Sequence, residues 1–392
     1  MRLLIIVYND LWDACFPVIE SLKDKCDLYC ALELIPEHAN ILSIKPKDFK
    51  GDSIIPSKKI PGIEKYSEVL PVEQTSIIRK HFPKRIIRFV KDSIIEKKFI
   101  DRVDPDFVLF YHDPIYSLSY INNASQPWGI AVHDPIPHDG GRTVINLLRK
   151  NIFKKCKNFF LFSQGLISEF KKKYELSDAK VFSTRLGVYS HLSSLYGMPE
   201  IESTKVGGPL RLLFFGKIQP YKGLRYLLEA YKQLKNDGID VELTIAGKGN
   251  IENDIIPLTQ ENGIYIENGF IEEKKLADYI INCDLVVCPY VEATQSGVIM
   301  TAFAFCIPVI ATNVGGLAEM VEDNITGRVI QPSNVQVLTD VLADVCSHRE
   351  KLVGWRKKIH EIYYSGNQSR EIITAKLLSD INTILNNEDK NN

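Results

Sequence analysis

Residues 284–329, DLVVCPYVEATQSGVIMTAFAFCIPVIATNVGGLAEMVEDNITGRV, alternate short apolar runs with glycine-bearing turns that open helices. The run 284–289 has the length and β-branched content of a buried parallel strand, and EATQSG (292–297) is the loop at its carboxyl end. A helix is predicted over 298–305. The first amides of a helix have no partner within it and carry partial positive charge, so this start suits phosphate oxygens. PVIAT (308–312) repeats the strand, and Gly315-Gly316 opens a second helix bearing Glu319. Two helix starts at neighbouring strand ends predict an anion pocket at the carboxyl edge of a parallel sheet.

The same alternation extends on both sides of this stretch. Strands are predicted at 210–215, 241–246 and 263–267, with helices at 223–237, 272–281, 336–349 and 370–386. In the first half, strands fall at 3–8, 28–34, 107–111, 129–133, 159–162 and 181–186, with an extended piece at 41–44. Helices there fall near 16–24, 143–152 and 165–174. Strands separated by helical crossovers make parallel sheets. Residues 189–209 lose the apolar period and carry Gly, Pro and Ser, as a linker does. The length of 392 residues exceeds what one core usually supports. The expectation is an α/β protein of two doubly wound Rossmann-like domains facing a cleft, at 1–200 and 201–370. Residues 371–392 are expected to form a helix that packs back across the linker, then a frayed tail.

Composition is that of an ordinary globular chain, 45% hydrophobic and 25% charged, and the net charge of -1 argues against a nucleic-acid binder driven by overall charge. None of the eight cysteines stands in a C-x-x-C pair or beside a histidine at metal spacing, so they read as small buried hydrophobes of a reduced, cytoplasmic protein. Residues 1–7 read as a first strand and not as a secretory leader, and no run is long enough to span a bilayer. Within 77–100, eight Lys and Arg interleave with Ile, Phe and Val against Asp92 and Glu96. That pattern fits a segment lying on an anionic membrane surface, and equally a half-buried solvated helix.

Four blocks follow one another between 207 and 332: LRLLFFGKIQPYKGLRYLLEAY, LTIAGKGN, CDLVVCPYVEATQSG and PVIATNVGGLAEMVEDNITG. In this order they resemble the retaining glycosyltransferases of GT-B fold, family 4, also called glycosyltransferases group 1. The first half fits more loosely through PDFVLFYHDP, IAVHDPIPHDGG and FLFSQGLISEFKKKY. The resemblance implies a nucleotide sugar as donor, bound by the second domain, and a glycan or lipid-linked saccharide as acceptor, bound by the first. It implies no cofactor and no bound metal.

It also assigns residues. Lys217 and Lys222 stand where the family binds the donor diphosphate and stabilises the leaving group, Lys217 replacing the more usual arginine. Glu292 takes the acidic position that contacts the donor sugar, and His112 resembles the histidine that reaches the sugar. Gly216, Gly247, Lys248, Phe270, Gln295, Ser296, Gly297, Val298, Thr301, Gly315, Gly316 and Glu319 surround the donor, and His133, Asp134 and His138 the acceptor. Residue by residue, the plainer readings stand beside these: Ser296 or Thr294 as a helix cap, Gly315-Gly316 as a turn, Glu319 as a dipole-complementing surface residue, Asp134 as a loop cap. Thr301 stands where the family has a second glutamate, Leu186 precedes Gly187 where many members have a histidine, and no Gly-rich turn follows the first strand. Acceptor chemistry is therefore expected to differ from that of better-known members. The reading is a retaining hexosyltransferase of cell-surface polysaccharide synthesis. Its alternatives are a nucleotide-sugar epimerase of the same architecture and an inactive nucleotide-binding scaffold.

Overall fold

The computed structural model describes residues 1–35, 40, 42, 44–81, 86–136, 143–202 and 207–389. The chain divides into two compact units, one of Met1–Gly187 with Arg370–Asn392, the other of Val188–Ser369. Among the described residues each unit is built on one sheet. Those of the first are β1 (Arg2–Tyr8), β2 (Asp27–Leu34), β3 (Ile54–Pro56), β4 (Thr75–Arg79), β5 (Phe107–Phe110), β6 (Trp128–Val132), β7 (Asn158–Leu161) and β8 (Lys180–Ser183). They lie in the order β3-β4-β2-β1-β5-β6-β7-β8, all parallel except for the edge strand β3. The second sheet holds β9 (Leu210–Phe215), β10 (Val241–Gly247), β11 (Ile264–Asn268), β12 (Leu285–Cys288), β13 (Val309–Thr312) and β14 (Gly327–Ile330). Its order is β11-β10-β9-β12-β13-β14, parallel throughout.

Both orders change direction at a central strand, as doubly wound sheets do, which leaves strand ends and helix starts on one edge. In the first unit that happens beside β1, whose five central residues Leu3 to Val7 are all at 0% exposure, the mark of a strand covered on both faces. In the second it happens beside β9. There the helix Leu224–Asn236 lays Leu224, Leu227, Leu228, Tyr231 and Leu234 on the sheet at helical spacing. Each such leucine contributes roughly 1.5–3 kcal/mol by leaving water.

The last helix, Arg370–Asp389, packs on the helix Trp12–Leu22 of the first unit through Ser21 and Thr374, 2.7 Å apart, and Arg370 with Glu20. The stretch read as a linker is more ordered than its composition suggests. It carries the helix His191–Tyr196, and Tyr189 is buried with its N–H donating to the Met300 carbonyl. All eight cysteines are free thiols, six of them buried. Two of the four residues of the expected extended piece at 41–44, residues 41 and 43, lie outside the described set.

Candidate functional site

In the second unit the loops leaving β9, β10, β12 and β13 meet at the carboxyl edge of the sheet. The loop after β9 continues the ladder: Gly216 N–H donates to the Ala246 carbonyl and Ile218 N–H to that of Lys248, both at 2.9 Å. This approach requires Gly247, where a methyl group would stand 1.8 Å from the Gly216 oxygen. Lys217 is exposed beyond that ladder. The one-turn helix Pro220–Lys222 then carries the chain back, and Val291 N–H donates to the Tyr221 carbonyl at 2.8 Å.

Lys222 is thereby folded inward, only 8% exposed, with its ammonium 5.1 Å from the centre of the Tyr290 ring. Burial lowers its pKa, the charge of Lys217 adds to that, and Cys288 opposes it. Among the described residues no carboxylate pairs with Lys222 or Lys217. A buried ammonium over one aromatic ring with no carboxylate beside it is poised for an anion, since a counter-charge would restore what burial removed.

The start of the helix Gly297–Ala304 comes to the same place. A methyl group on Gly216 would lie 3.1 Å from Lys222 Nζ and 3.3 Å from Val298 Cγ2. Ser296, at the N-cap, is buried and gives the helix no capping hydrogen bond; its hydroxyl faces the Tyr290 hydroxyl at 3.4 Å. No side chain at the cap position competes for those first amides. Gln295 and Thr301 flank this start, half-buried, Thr301 one turn in from Gly297.

The second expected helix start differs. The helix Leu317–Met320 is a single turn of 4 residues, too short for a dipole of weight. The glycines before it hold the neighbouring loop: Gly315, with φ +49°, sits where a methyl group would be 1.6 Å from the Ala293 carbonyl, and Gly316 N–H donates to the Thr294 carbonyl at 3.1 Å. That amide is engaged within the protein, so the pair shapes the 292–296 loop. The expectation of two converging anion-binding helix starts is corrected to one. Glu292 and Glu319 are exposed, as are Lys248 and, at 75%, Phe270, on the loops after β10 and β11.

In the first unit the strand ends of β2, β4 and β5 enclose a charged cluster. Glu33, Lys80 and Glu96 are at 0% exposure and His112 at 2%. Lys80 Nζ lies 2.8 Å from Glu33 and 2.9 Å from Glu96, and His112 Nε2 lies 2.8 Å from Glu33, at angles bent away from ideal hydrogen bonds. Burial raises the Glu33 carboxyl, yet Lys80 and His112 outweigh it and hold the group below the usual carboxylate range. Burial with the Glu33 charge pushes Glu96 up to about 8 against Lys80. His112 is thus fixed inside the unit by ion contacts. This also corrects the reading of 77–100 as one basic surface segment: Ile77 and Ile78 are buried in β4, Lys80 is a core ion, and the helix Ile86–Val103 has one face exposed and the other buried.

His133 follows β6 and packs its ring 4.5 Å from Phe162 and 4.9 Å from Tyr111. Burial and then the neighbouring His112 push it down to about 3, so it is a neutral ring near pH 7. Asp134 is half-buried beside it, within the field of Asp113 and Arg149. His138 lies outside the described residues. Sequence reasoning missed Arg149, on the helix Thr143–Lys155, which pairs with Asp113. It also missed Glu33, Lys80 and Glu96. The available signal was Glu33, one carboxylate inside the apolar run YCALELI. Among the described residues no group of three or more His, Cys, Asp or Glu could hold a metal ion.

Residues 209–348 match the family model described as "Glycosyl transferases group 1". Over 172 residues the chain is 28% identical to an uncharacterized glycosyltransferase, MJ1607, of Methanocaldococcus jannaschii, covering 42% of this chain and 44% of that protein. Over 145 residues it is 26% identical to the amylovoran biosynthesis glycosyltransferase AmsK of Erwinia amylovora, covering 34% of this chain and 35% of the relative. The matches thus span less than half the length of these curated relatives. The structure resembles that of Anabaena Alr3699/HepE, solved in complex with UDP, with a TM-score of 0.66 and 15% identity over 98% of this chain and 100% of the other. The fold is therefore the GT-B type, two Rossmann-like units, and the segment 209–348 is similar to the group 1 glycosyl transferases.

Proposed function

We propose that this protein is a retaining hexosyltransferase of family 4, which moves a sugar from a nucleoside diphosphate donor to a hydroxyl of a glycan or lipid-linked acceptor in cell-surface polysaccharide synthesis. One observation carries the reading: a buried ammonium without a carboxylate partner, Lys222, beside Gly216 and the uncapped start of the helix Gly297–Ala304. Two kinds of positive group converge there, an ammonium and helix amides, and a diphosphate is the ligand whose charge they match. The UDP in the Anabaena structure and the amylovoran biosynthesis in the name of the Erwinia relative support the donor and acceptor classes.

In this reading Lys222, Lys217 and the helix amides stabilise the charge that develops on the leaving phosphate as the glycosidic bond breaks. Lysine and amide dipoles supply that stabilisation with no resident metal or cofactor. The leaving phosphate takes the acceptor's proton, and the acceptor attacks from the face that the phosphate leaves, so configuration is retained. Glu292, Gln295 and Thr301 orient the sugar and ribose, Gly247, Lys248, Phe270 and Glu319 the rest of the nucleotide, and His133 and Asp134 the acceptor. The test is incubation with a panel of nucleotide sugars and saccharide acceptors, read by nuclear magnetic resonance of the anomeric proton. An acceptor-dependent product with the donor's configuration is expected. Inverted product would refute retention, and turnover without acceptor would make the protein an epimerase.

We further propose that the helix Ile86–Val103 rests on an anionic membrane. Ile86 and Ile87 are 71% and 86% exposed, Val90 and Ile94 are exposed on the same face, and Arg88, Lys91 and Lys98 flank them. No described helix is long and apolar enough to cross a membrane.

A further inference from the structure

We propose that Tyr290 is a positioning residue of the diphosphate site, whose hydroxyl holds the Ser296 side chain away from the helix Gly297–Ala304 and so keeps the first amides of that helix free for a phosphate. The ligand depends on the function proposed above. The contact between the two hydroxyls stands apart from it.

A serine at an N-cap ordinarily accepts a hydrogen bond from the amide two or three residues on, here that of Val298 or Ile299. Ser296 has the extended backbone of that position, yet its side chain bonds neither amide. It is 4% exposed, so water does not draw it away. Its hydroxyl donates instead to the Tyr290 hydroxyl, 3.4 Å away. Burial holds the Tyr290 phenol well above its ordinary range, so it is an uncharged partner at neutral pH. Cys288, also at that hydroxyl, is pushed up to about 12 by burial and stays a thiol.

The loop that carries Tyr290 is fastened on both sides. Its own carbonyl accepts from the Thr312 hydroxyl at the end of β13. Val291 is bonded to the Tyr221 carbonyl, and the Tyr221 ring meets that of Tyr290 edge-on, with centroids 6.3 Å apart. On the other side Gly223 passes so close that a methyl group there would stand 2.0 Å from the Pro289 oxygen. The Tyr290 ring also lies beneath the ammonium of Lys222, which is 8% exposed and has no carboxylate partner among the described residues. Hydroxyl and ring thus act on the two positive groups of one site.

In Tyr290→Phe the ring stays beneath Lys222, while Ser296 is released to cap the helix. The substitution removes one oxygen and leaves the packing of the ring, which preserves the fold. A phosphate must then displace the serine from the amides, and its affinity falls by the equilibrium constant of the cap, about fivefold for an ordinary N-cap hydrogen bond.

The test uses the full chain in two measurements. Without ligand, the amides of Val298 and Ile299 are followed by hydrogen exchange in the nuclear magnetic resonance spectrum. At least one is expected to exchange about fivefold more slowly in Tyr290→Phe than in the native protein, and the added substitution Ser296→Ala to remove that protection. With UDP, GDP and ADP, calorimetry is expected to show Tyr290→Phe weakening nucleotide binding about fivefold in the native background and leaving it unchanged in the Ser296→Ala background. A merely structural contact would lower affinity in both. Equal loss in the two backgrounds, or exchange unchanged by Tyr290→Phe, overturns the proposal. Slowed exchange in a protein that binds none of the nucleotides would refute the donor class and leave the hydroxyl contact standing. Nucleotide binding that does not depend on Tyr290 would do the reverse.

Discussion

At the scale of single residues, burial separates groups that look alike in the sequence. Lys217 and Lys222 sit in one loop, yet the first is exposed and the second folded under the sheet edge, which no local pattern announces. Lys80 was legible only as one of a run of basic residues, because the carboxyl groups that hold it, those of Glu33 and Glu96, are 47 and 16 positions away. Its burial has a consequence for stability. Glu96 has a folded-state pKa raised from an ordinary 4.5 to about 8, so the folded protein keeps a proton that the unfolded chain has lost. Stability from this group is present below about 4.5 and falls as pH rises toward about 8. Urea unfolding should therefore show Glu96→Gln gaining on the native protein from about pH 5 to about pH 8, with no further gain above that range. A difference independent of pH would show that Glu96 is ionised throughout.

At the scale of elements, β10, β12, β13 and the helices Leu224–Asn236 and Glu273–Asn282 were legible within a residue or two, because uniformly apolar runs and helical spacing leave few alternatives. The edge strands β3 and β14, and β4 beside β3, were not: they are short, and the polar residues at their ends break the apolar period. The helix Ile86–Val103 was legible as amphipathic, but which face meets the core was not. The structure buries Phe89, Asp92, Ser93, Glu96, Phe99, Ile100 and Val103 and leaves Ile86, Ile87, Val90 and Ile94 outside, so apolar side chains lie on both faces of its first half. An exposed apolar face with basic flanks is the physical signature of a membrane-surface helix. Sedimentation with phosphatidylglycerol vesicles should retain the protein at low salt, and phosphatidylcholine vesicles should not. Lys91→Glu should reduce binding roughly fivefold or more, near 1 kcal/mol per basic residue at an anionic surface. Equal binding by the variant, or none by the native chain, would remove the membrane from the account.

At the scale of the whole molecule, the two parallel sheets and their change of direction followed from alternation alone, which is why the fold class was readable before any coordinates. Chemistry was readable only where it depends on chain order, as in the blocks between 207 and 332. Buried contacts between the ends of separate strands, such as Glu33 with His112, depend on topology instead. What unites the second unit is the convergence of Lys222, Gly216 and one helix start on a diphosphate-sized charge. Titration calorimetry of the native protein and Lys222→Ala against UDP, GDP and ADP measures that directly. The account predicts binding of at least one of them, weakened by the substitution at least tenfold, about 1.4 kcal/mol. Binding of none, or an affinity unchanged by Lys222→Ala, would contradict it.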